Sequence, residues 1–290
     1  MSKRVPVKSE CSHDHTNEQI DAARRRALIQ MSAGAAALTG AAVLGRDAMA
    51  AGRAARPEYE DPEKGGLPAG EFEIDLANTG LVVTDPQIDF LSPDGVAWGV
   101  VGDSVTEQKT VDHLEQLFKA AKAVKMPVFI SPHYYFPHDQ KWKFEGVLEK
   151  LMHAIHMFDR AGPLNVDGFD GSGSDWMPQF KQYIEDGETI VCSPHKIYGP
   201  EQNDLVLQLR KRGVNKVILA GMSANLCVQA HLYELIEQGF DLAVVRDATA
   251  AAQVPEGDGY LAALINYRFV ASAVWYTDDA VKKIHAAAAS

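Results

Sequence analysis

Six short apolar runs, separated by segments with helical period, limit the folds open to this chain. They are "GLVVT" (80–84), "PVFIS" (127–131), "TIVCS" (189–193), "KVILA" (216–220), "DLAVV" (241–245) and "FVASAVW" (269–275). They are continuously apolar, as expected of strands covered on both faces. Between them, "SVTEQKTVDHLEQLFKAAKAV" (104–124) places Val111, Leu114, Leu117 and Phe118 on one helical face. "NDLVLQLRKRG" (203–213), "CVQAHLYELIEQG" (227–239) and "DGYLAALINYR" (258–268) continue the pattern with Asn/Asp openings or glycine stops. Such alternation predicts an α/β fold: a doubly wound, mostly parallel six-stranded sheet with helices on both faces and right-handed crossovers. One domain over residues 73–290 holds all six runs.

The first fifty residues do not join this rhythm. Arg24, Arg25 and Arg26 lead into "ALIQMSAGAAALTGAAVLG" (27–45), followed by Ala48-Met49-Ala50. Paired arginines, a mildly apolar run too short and too rich in Ala and Gly to span a bilayer, and a small-x-small site predict a twin-arginine export signal over 1–50. The mature protein is then expected in the periplasm or secreted, with no membrane attachment. Residues 51–72, rich in Pro, Gly and charge, read as a linker or surface arm.

The chain carries 28 Lys and Arg against 39 Asp and Glu, a formal net charge of −11. Removing 1–50 makes the rest more acidic still. That balance argues against nucleic acid or anionic lipid as a partner. Of the three cysteines, Cys11 lies in the leader; Cys192 and Cys227 remain in the mature chain. In an oxidising compartment these two could form a disulfide.

Ligands of an open parallel sheet bind beyond the carboxyl ends of its strands, so polar residues there are the ones to inspect. The first strand runs into "TDPQIDF" (84–90) with Asp85 at its tip; the third leads to His195 and Lys196 in "CSPHKIYGPEQNDL" (192–205). The fourth leads through "GMSANLC" (221–227) to Cys227 at the start of a helix. An acid, an ammonium and a thiol on one rim make a coherent hydrolytic set. A helix N-terminus and a nearby lysine favour the thiolate nucleophile, and the acid can shuttle a proton. Polar residues at strand ends are common in α/β domains, however, and each of these has an ordinary structural reading as well.

"DPQIDF" (85–90) resembles the D-x-Q-x-D-F signature of the isochorismatase-like cysteine hydrolases, a family that includes nicotinamidases. "GETIVCSPHKIYGPEQNDLVLQLRKRGVNKVILAGMSANLCVQA" (187–230) resembles the same family's lysine segment and its cysteine turn. The similarity runs over about 80–275. It implies Asp85 as general acid/base, Lys196 as electrostatic partner and Cys227 as nucleophile. It also implies a cis peptide between Met222 and Ser223, with the backbone N–H groups of Ser223 and Cys227 as oxyanion donors. Phe90 matches a pocket-wall aromatic, while Gln87 and Asp89 are expected to brace the first loop. His133, Tyr134 and Trp142, from the aromatic stretch 133–162, are further substrate-pocket candidates, with Tyr135 beside them. Family members are usually oligomeric, which implies a homo-oligomer.

Two departures narrow the reading. Nicotinamidases hold a metal through an Asp-x-His after the second strand; here "SPHYYFPHD" (131–139) supplies His133 and His138 but puts Ser131 at the aspartate position. We therefore expect no metal and no cofactor. Ala224 stands where relatives commonly have threonine, which leaves the backbone donors intact. The resulting expectation is a cofactor-independent hydrolase of a small amide or carbamoyl C–N bond, acting through a thioester on Cys227. Two alternatives stand beside it. One is a vinyl-ether (isochorismatase-type) hydrolase, in which Cys227 would be idle. The other is a non-catalytic exported binding protein with a Cys192–Cys227 disulfide.

Overall fold

The computed structural model describes residues 70–289; the expected export signal and nearly all of the 51–72 arm lie outside them. All six apolar runs form strands: β1 (Thr79–Thr84), β2 (Val128–Ser131), β3 (Ile190–Val191), β4 (Lys216–Met222), β5 (Asp241–Ala250) and β6 (Ala273–Trp275). They pair in the order β3-β2-β1-β4-β5-β6, every pair parallel. The chain thus winds outward from β1 to β3, then returns to the other side of β1. In such an order the strand connections diverge between β1 and β4, and ligands of such sheets bind at the carboxyl ends there.

Helices α1 (Ile88–Leu91), α2 (Trp98–Glu107) and α3 (Thr110–Ala123) link β1 to β2. The long excursion from β2 to β3 carries α4 (Val147–Ala154) and α5 (Lys181–Ile184), and α6 (Leu205–Lys211) precedes β4. After β4 come α7 (Gln229–Glu237), α8 (Gly259–Val270) and α9 (Thr277–Ala287). Because strand side chains alternate, one face of the sheet presents Val82, Phe129, Val217, Leu219, Leu242 and Val244 to Leu205, Leu209, Leu232, Leu235, Leu264 and Tyr267 of α6–α8. The alternate residues Leu81, Val83, Ile130 and Ile218 are also fully buried. Helices α3 and α9 pack on each other and on the sheet, with Leu114, Leu117, Phe118 and Ile284 buried. Each aliphatic side chain so enclosed contributes about 1.5–3 kcal/mol, which holds the strand ends in fixed relation.

The expected helix over 104–124 is two helices, broken where Lys109 takes a left-handed φ of 50°. The last strand is shorter than its apolar run because α8 continues through Val270. Among the described residues no helix is long and apolar enough to cross a membrane.

Candidate active site

The carboxyl ends of β1 and β4 meet at one close approach. Gly221, at φ 115°, lies so near β1 that a Cβ there would sit 2.1 Å from the Thr84 carbonyl oxygen. Only glycine takes that conformation and leaves that space. The Met222–Ser223 peptide that follows is cis, and one π-helical turn, Ala224–Val228, carries Cys227 into α7. Thr84 Oγ1 donates to the Met222 carbonyl at 2.9 Å, and the Tyr267 hydroxyl donates to the Ala224 carbonyl at 2.6 Å. The turn is therefore fixed from both sides.

Facing that turn, Asp85 follows the end of β1 in a left-handed conformation (φ 47°) that few residues besides Gly, Asn and Asp adopt readily. Its fully buried carboxylate faces Cys227. Burial first, and then the facing Asp85, push the Cys227 thiol well above its ordinary range; the backbone N–H groups of Ser223 and Cys227, which hydrogen-bond toward the sulfur, pull the other way. Burial and the facing acid thus favour the thiol, against the pull of a helix start toward the thiolate.

The expected lysine is not there. Lys196 Nζ donates to the Tyr134 carbonyl at 2.8 Å and to Asp139 Oδ2 at 2.5 Å, and lies 3.9 Å from the Phe136 ring centroid. It ties down the 134–139 loop. Its neighbour His195 takes the position beside the acid, with Nε2 2.8 Å from Asp85 Oδ1. A carboxylate offers only lone pairs, so Nε2 is the donor. His195 arrives there because its N–H donates to the Pro132 carbonyl, pairing it in parallel with His133 beyond the ends of β2 and β3.

His133 is fully buried and joins the same cluster. One possible ligand atom from each of Asp85, His133, His195 and Cys227 lies within 4.8 Å of the others. The His133–His138 pair considered from sequence does not form: His138 is solvent-exposed beside Asp139. Ser131, at the position relatives fill with aspartate, is engaged elsewhere. Its Oγ accepts from Asn203 Nδ2 at 2.8 Å and bonds His231 Nε2 at 2.8 Å, while His231 Nδ1 bonds the Cys227 carbonyl at 2.7 Å. A carbonyl can only accept, so His231 carries its proton on Nδ1 and accepts a hydrogen bond from the Ser131 hydroxyl at Nε2. Burial and the nearby His195 hold the His231 ring neutral, as that chain requires.

Gln87 and Asp89 brace the loops as expected. Gln87 bonds both the N–H and the carbonyl of His133, and Asp89 accepts from the Phe158 N–H at 2.7 Å. Gly173 makes room for that carboxylate, since a Cβ there would fall 1.9 Å from Asp89 Oδ1. Phe90 packs edge-on against Phe158, which stacks on His133. Tyr134 lies between Trp176 and Arg160 and senses the Asp85 charge. Trp142 does not reach the cluster's four residues; it packs on Tyr135 and His153. Cys192 and Cys227 are both free, Cys192 lying in the core with Leu205 and Leu209, so the structure does not contain the disulfide of the binding-protein alternative.

The isochorismatase domain profile matches residues 79–274, from the start of β1 into β6. The chain belongs to the isochorismatase family. A curated relative, the uncharacterized isochorismatase family protein YecD of Escherichia coli O157:H7, is 40% identical over 53 residues. That stretch is 18% of this chain and only 28% of the relative's length. Among solved structures, a cysteine hydrolase from Pseudomonas syringae pv. phaseolicola 1448A superposes with a TM-score of 0.62 at 18% identity, covering 77% of this chain and 99% of its own. An isochorismatase family protein from Desulfovibrio vulgaris subsp. vulgaris str. Hildenborough gives 0.53 at 17% identity, covering 71% and 99%. These structures share the fold, and the family assignment rests on the profile. His195, Asn203 and His231 are the residues of this family member's site that sequence reasoning did not assign a role. His195 was in view as a strand-end residue, but nothing in the sequence says which of two adjacent loop residues turns inward.

Proposed function

We propose that the protein hydrolyses an amide or carbamoyl C–N bond of a small molecule through a thioester on Cys227, with Asp85 as the proton carrier. The observation that carries this reading is the pairing of Cys227 and Asp85, buried together with sulfur and carboxylate oxygen within 4.8 Å of each other. With surroundings that favour the thiol, attack and deprotonation are coupled. Asp85 takes the S–H proton as the sulfur bonds the carbonyl carbon, and gives it to the nitrogen as the C–N bond breaks. Water then attacks the thioester while Asp85 accepts its proton; the acid leaves and the thiol is restored. The Ser223 and Cys227 N–H groups hold the oxyanion in both halves, where losing one such donor typically costs about 10²–10³ in rate.

His195 acts in this reading as the partner that orients Asp85, in the place assigned to Lys196 from sequence. Phe90 and Tyr134 shape the wall next to the cluster. A vinyl-ether hydrolase would leave Cys227 without a role, whereas the Asp85–Cys227 contact gives it one. Export through the twin-arginine leader and assembly into a homo-oligomer belong to the same proposal; mass analysis of the mature N-terminus and sedimentation of the purified protein test them. The direct test of the chemistry is ammonia release from a panel of primary amides and ureides, with hydroxylamine added to trap the acyl group. Activity lost in Cys227→Ala, together with a trapped hydroxamate, supports the thioester. Turnover that persists in Cys227→Ala overturns it.

A further inference from the structure

The side chains that meet on the rim also form a ligand set, and several of their polar atoms are buried with few partners. His133 is fully enclosed, and beyond a backbone contact with Lys196 its ring nitrogens have no hydrogen-bond partner. Asp85 Oδ2 and His195 Nδ1 are likewise buried, with no partner besides the Cys227 thiol that faces the carboxylate. Buried polar atoms are nearly always satisfied, and leaving one unmade costs about 1–3 kcal/mol. The His133 ring is nonetheless held in place. Gln87 fixes its backbone on both sides, and Phe158, Tyr135 and His195 pack on the ring with centroids 4.7–5.0 Å away. An imidazole so anchored, with one ring nitrogen close to a carboxylate, a second imidazole and a thiol, is arranged for a ligand.

The geometry points to a binding site for one zinc(II)-class divalent ion on Asp85, His133, His195 and Cys227, whose occupancy holds the enzyme in an inhibited resting form. One sulfur, two imidazole nitrogens and one carboxylate oxygen suit a borderline-soft ion. Bonds of about 2.0–2.3 Å put the corners of a zinc tetrahedron roughly 3.3–3.7 Å apart. The four atoms already lie within 4.8 Å of one another, so closing on an ion asks for shifts of about 1 Å or less. On binding, the Cys227 S–H bond breaks, a sulfur–metal bond forms, and the proton goes to solvent. Each histidine coordinates through one nitrogen as the neutral ring, keeping its N–H on the other. Four protein ligands leave no open position for water or substrate, which is the mark of a closed site and not a catalytic one. The inhibitory part rests on the proposed role of Cys227 as nucleophile; the binding part does not.

The test uses the full chain carrying Cys11→Ser, which removes the thiol of the leader's "CSHDH" (11–15) as a competing ligand. Reduced, chelator-treated protein is titrated with cobalt(II). The expected result is one ion per chain, with a thiolate-to-cobalt charge-transfer band and the visible bands of four-coordinate cobalt, all displaced by zinc. Cys227→Ala should abolish the charge-transfer band, and His133→Ala or His133→Gln should weaken cobalt binding at least tenfold. In the protein with His133 and Cys227 intact, zinc should slow alkylation of Cys227 at least tenfold and a chelator should restore it, a readout that needs no altered site residue. No charge-transfer band, a band that survives Cys227→Ala, or alkylation indifferent to zinc would each overturn the site. Amide hydrolysis by protein that binds no cobalt leaves the hydrolase and removes the metal. A cobalt–thiolate site in protein that cleaves no amide does the reverse.

Discussion

His195 Nε2 lies 2.8 Å from Asp85 Oδ1, with both side chains fully removed from solvent. Lys196, one residue on, turns to Asp139 instead. The two neighbours therefore predict different kinetics. His195→Ala leaves the proton carrier without the donor that aims it, and kcat for C–N cleavage should fall about 10²-fold or more, the scale on which general acid–base catalysis contributes. Lys196→Ala loosens the 134–139 loop and should act mainly on KM, with kcat within a few-fold. Steady-state ammonia release measures both. Equal collapse of kcat in the two variants would return the lysine to the chemistry.

Asp85 holds the Cys227 proton in place as well as moving it. Removing its charge with Asp85→Asn takes away the second largest influence that raises the thiol, leaving burial alone. The thiol should then ionise at lower pH, so alkylation of Cys227 at a fixed pH near 8 becomes faster. Turnover nevertheless falls about 10²–10⁴-fold, because the proton carrier is gone. Peptide mass spectrometry after timed alkylation of metal-free protein separates Cys227 from Cys192, which burial also pushes up. Slower labelling of Cys227 in Asp85→Asn would contradict the arrangement.

The layers of the fold were legible because apolar runs and helical stripes are local patterns with fixed periods. Leu114, Leu117 and Phe118 on one face of α3 follow from spacing alone, and so do the six strands. The rim was only partly legible. Asp85 and Cys227 follow a strand end and a helix start, positions that the sequence marks. His195 and Lys196 sit in an irregular loop where no period decides which side chain points inward; the parallel pairing of His195 with His133 decides it. His231 looked like one polar residue on an amphipathic helix. Its role comes from Ser131 and Asn203, 100 and 28 residues before it, which only the folded sheet brings together.

The Asn203–Ser131–His231 chain ends on the Cys227 carbonyl, so it locks the turn that presents the nucleophile. His231→Ala leaves the Ser131 hydroxyl and that carbonyl short of a partner in a dry interior, each costing about 1–3 kcal/mol. The expected result is a lower denaturation midpoint with an unchanged m-value, together with a reduced kcat from a less well-placed sulfur. Asn203→Ala, which removes only the outer donor, should show the same effects at smaller size. Urea denaturation and ammonia release on the same preparations give both readouts. Loss of stability without loss of kcat would confine the chain to a structural role.

Tyr267 is the counterpart on the other side of the turn. Its fully buried hydroxyl donates to the Ala224 carbonyl, and burial raises the phenol well above its ordinary value near 10. A group that holds its proton more tightly when folded stabilises fully below the unfolded pKa, and that contribution is lost as pH rises. For Tyr267 the window opens above about pH 10, with a slope of up to about 1.4 kcal/mol per pH unit. Tyr134 and Tyr135 are also raised by burial and add to the same alkaline loss. Tyr267→Phe should therefore unfold at lower denaturant at neutral pH, by about 1–3 kcal/mol for the orphaned carbonyl. Above pH 10 its stability should decline less steeply than that of the unsubstituted protein. Urea midpoints from pH 8 to 11 measure both slopes, and parallel curves would show that Tyr267 ionises no harder in the folded chain than in the unfolded one.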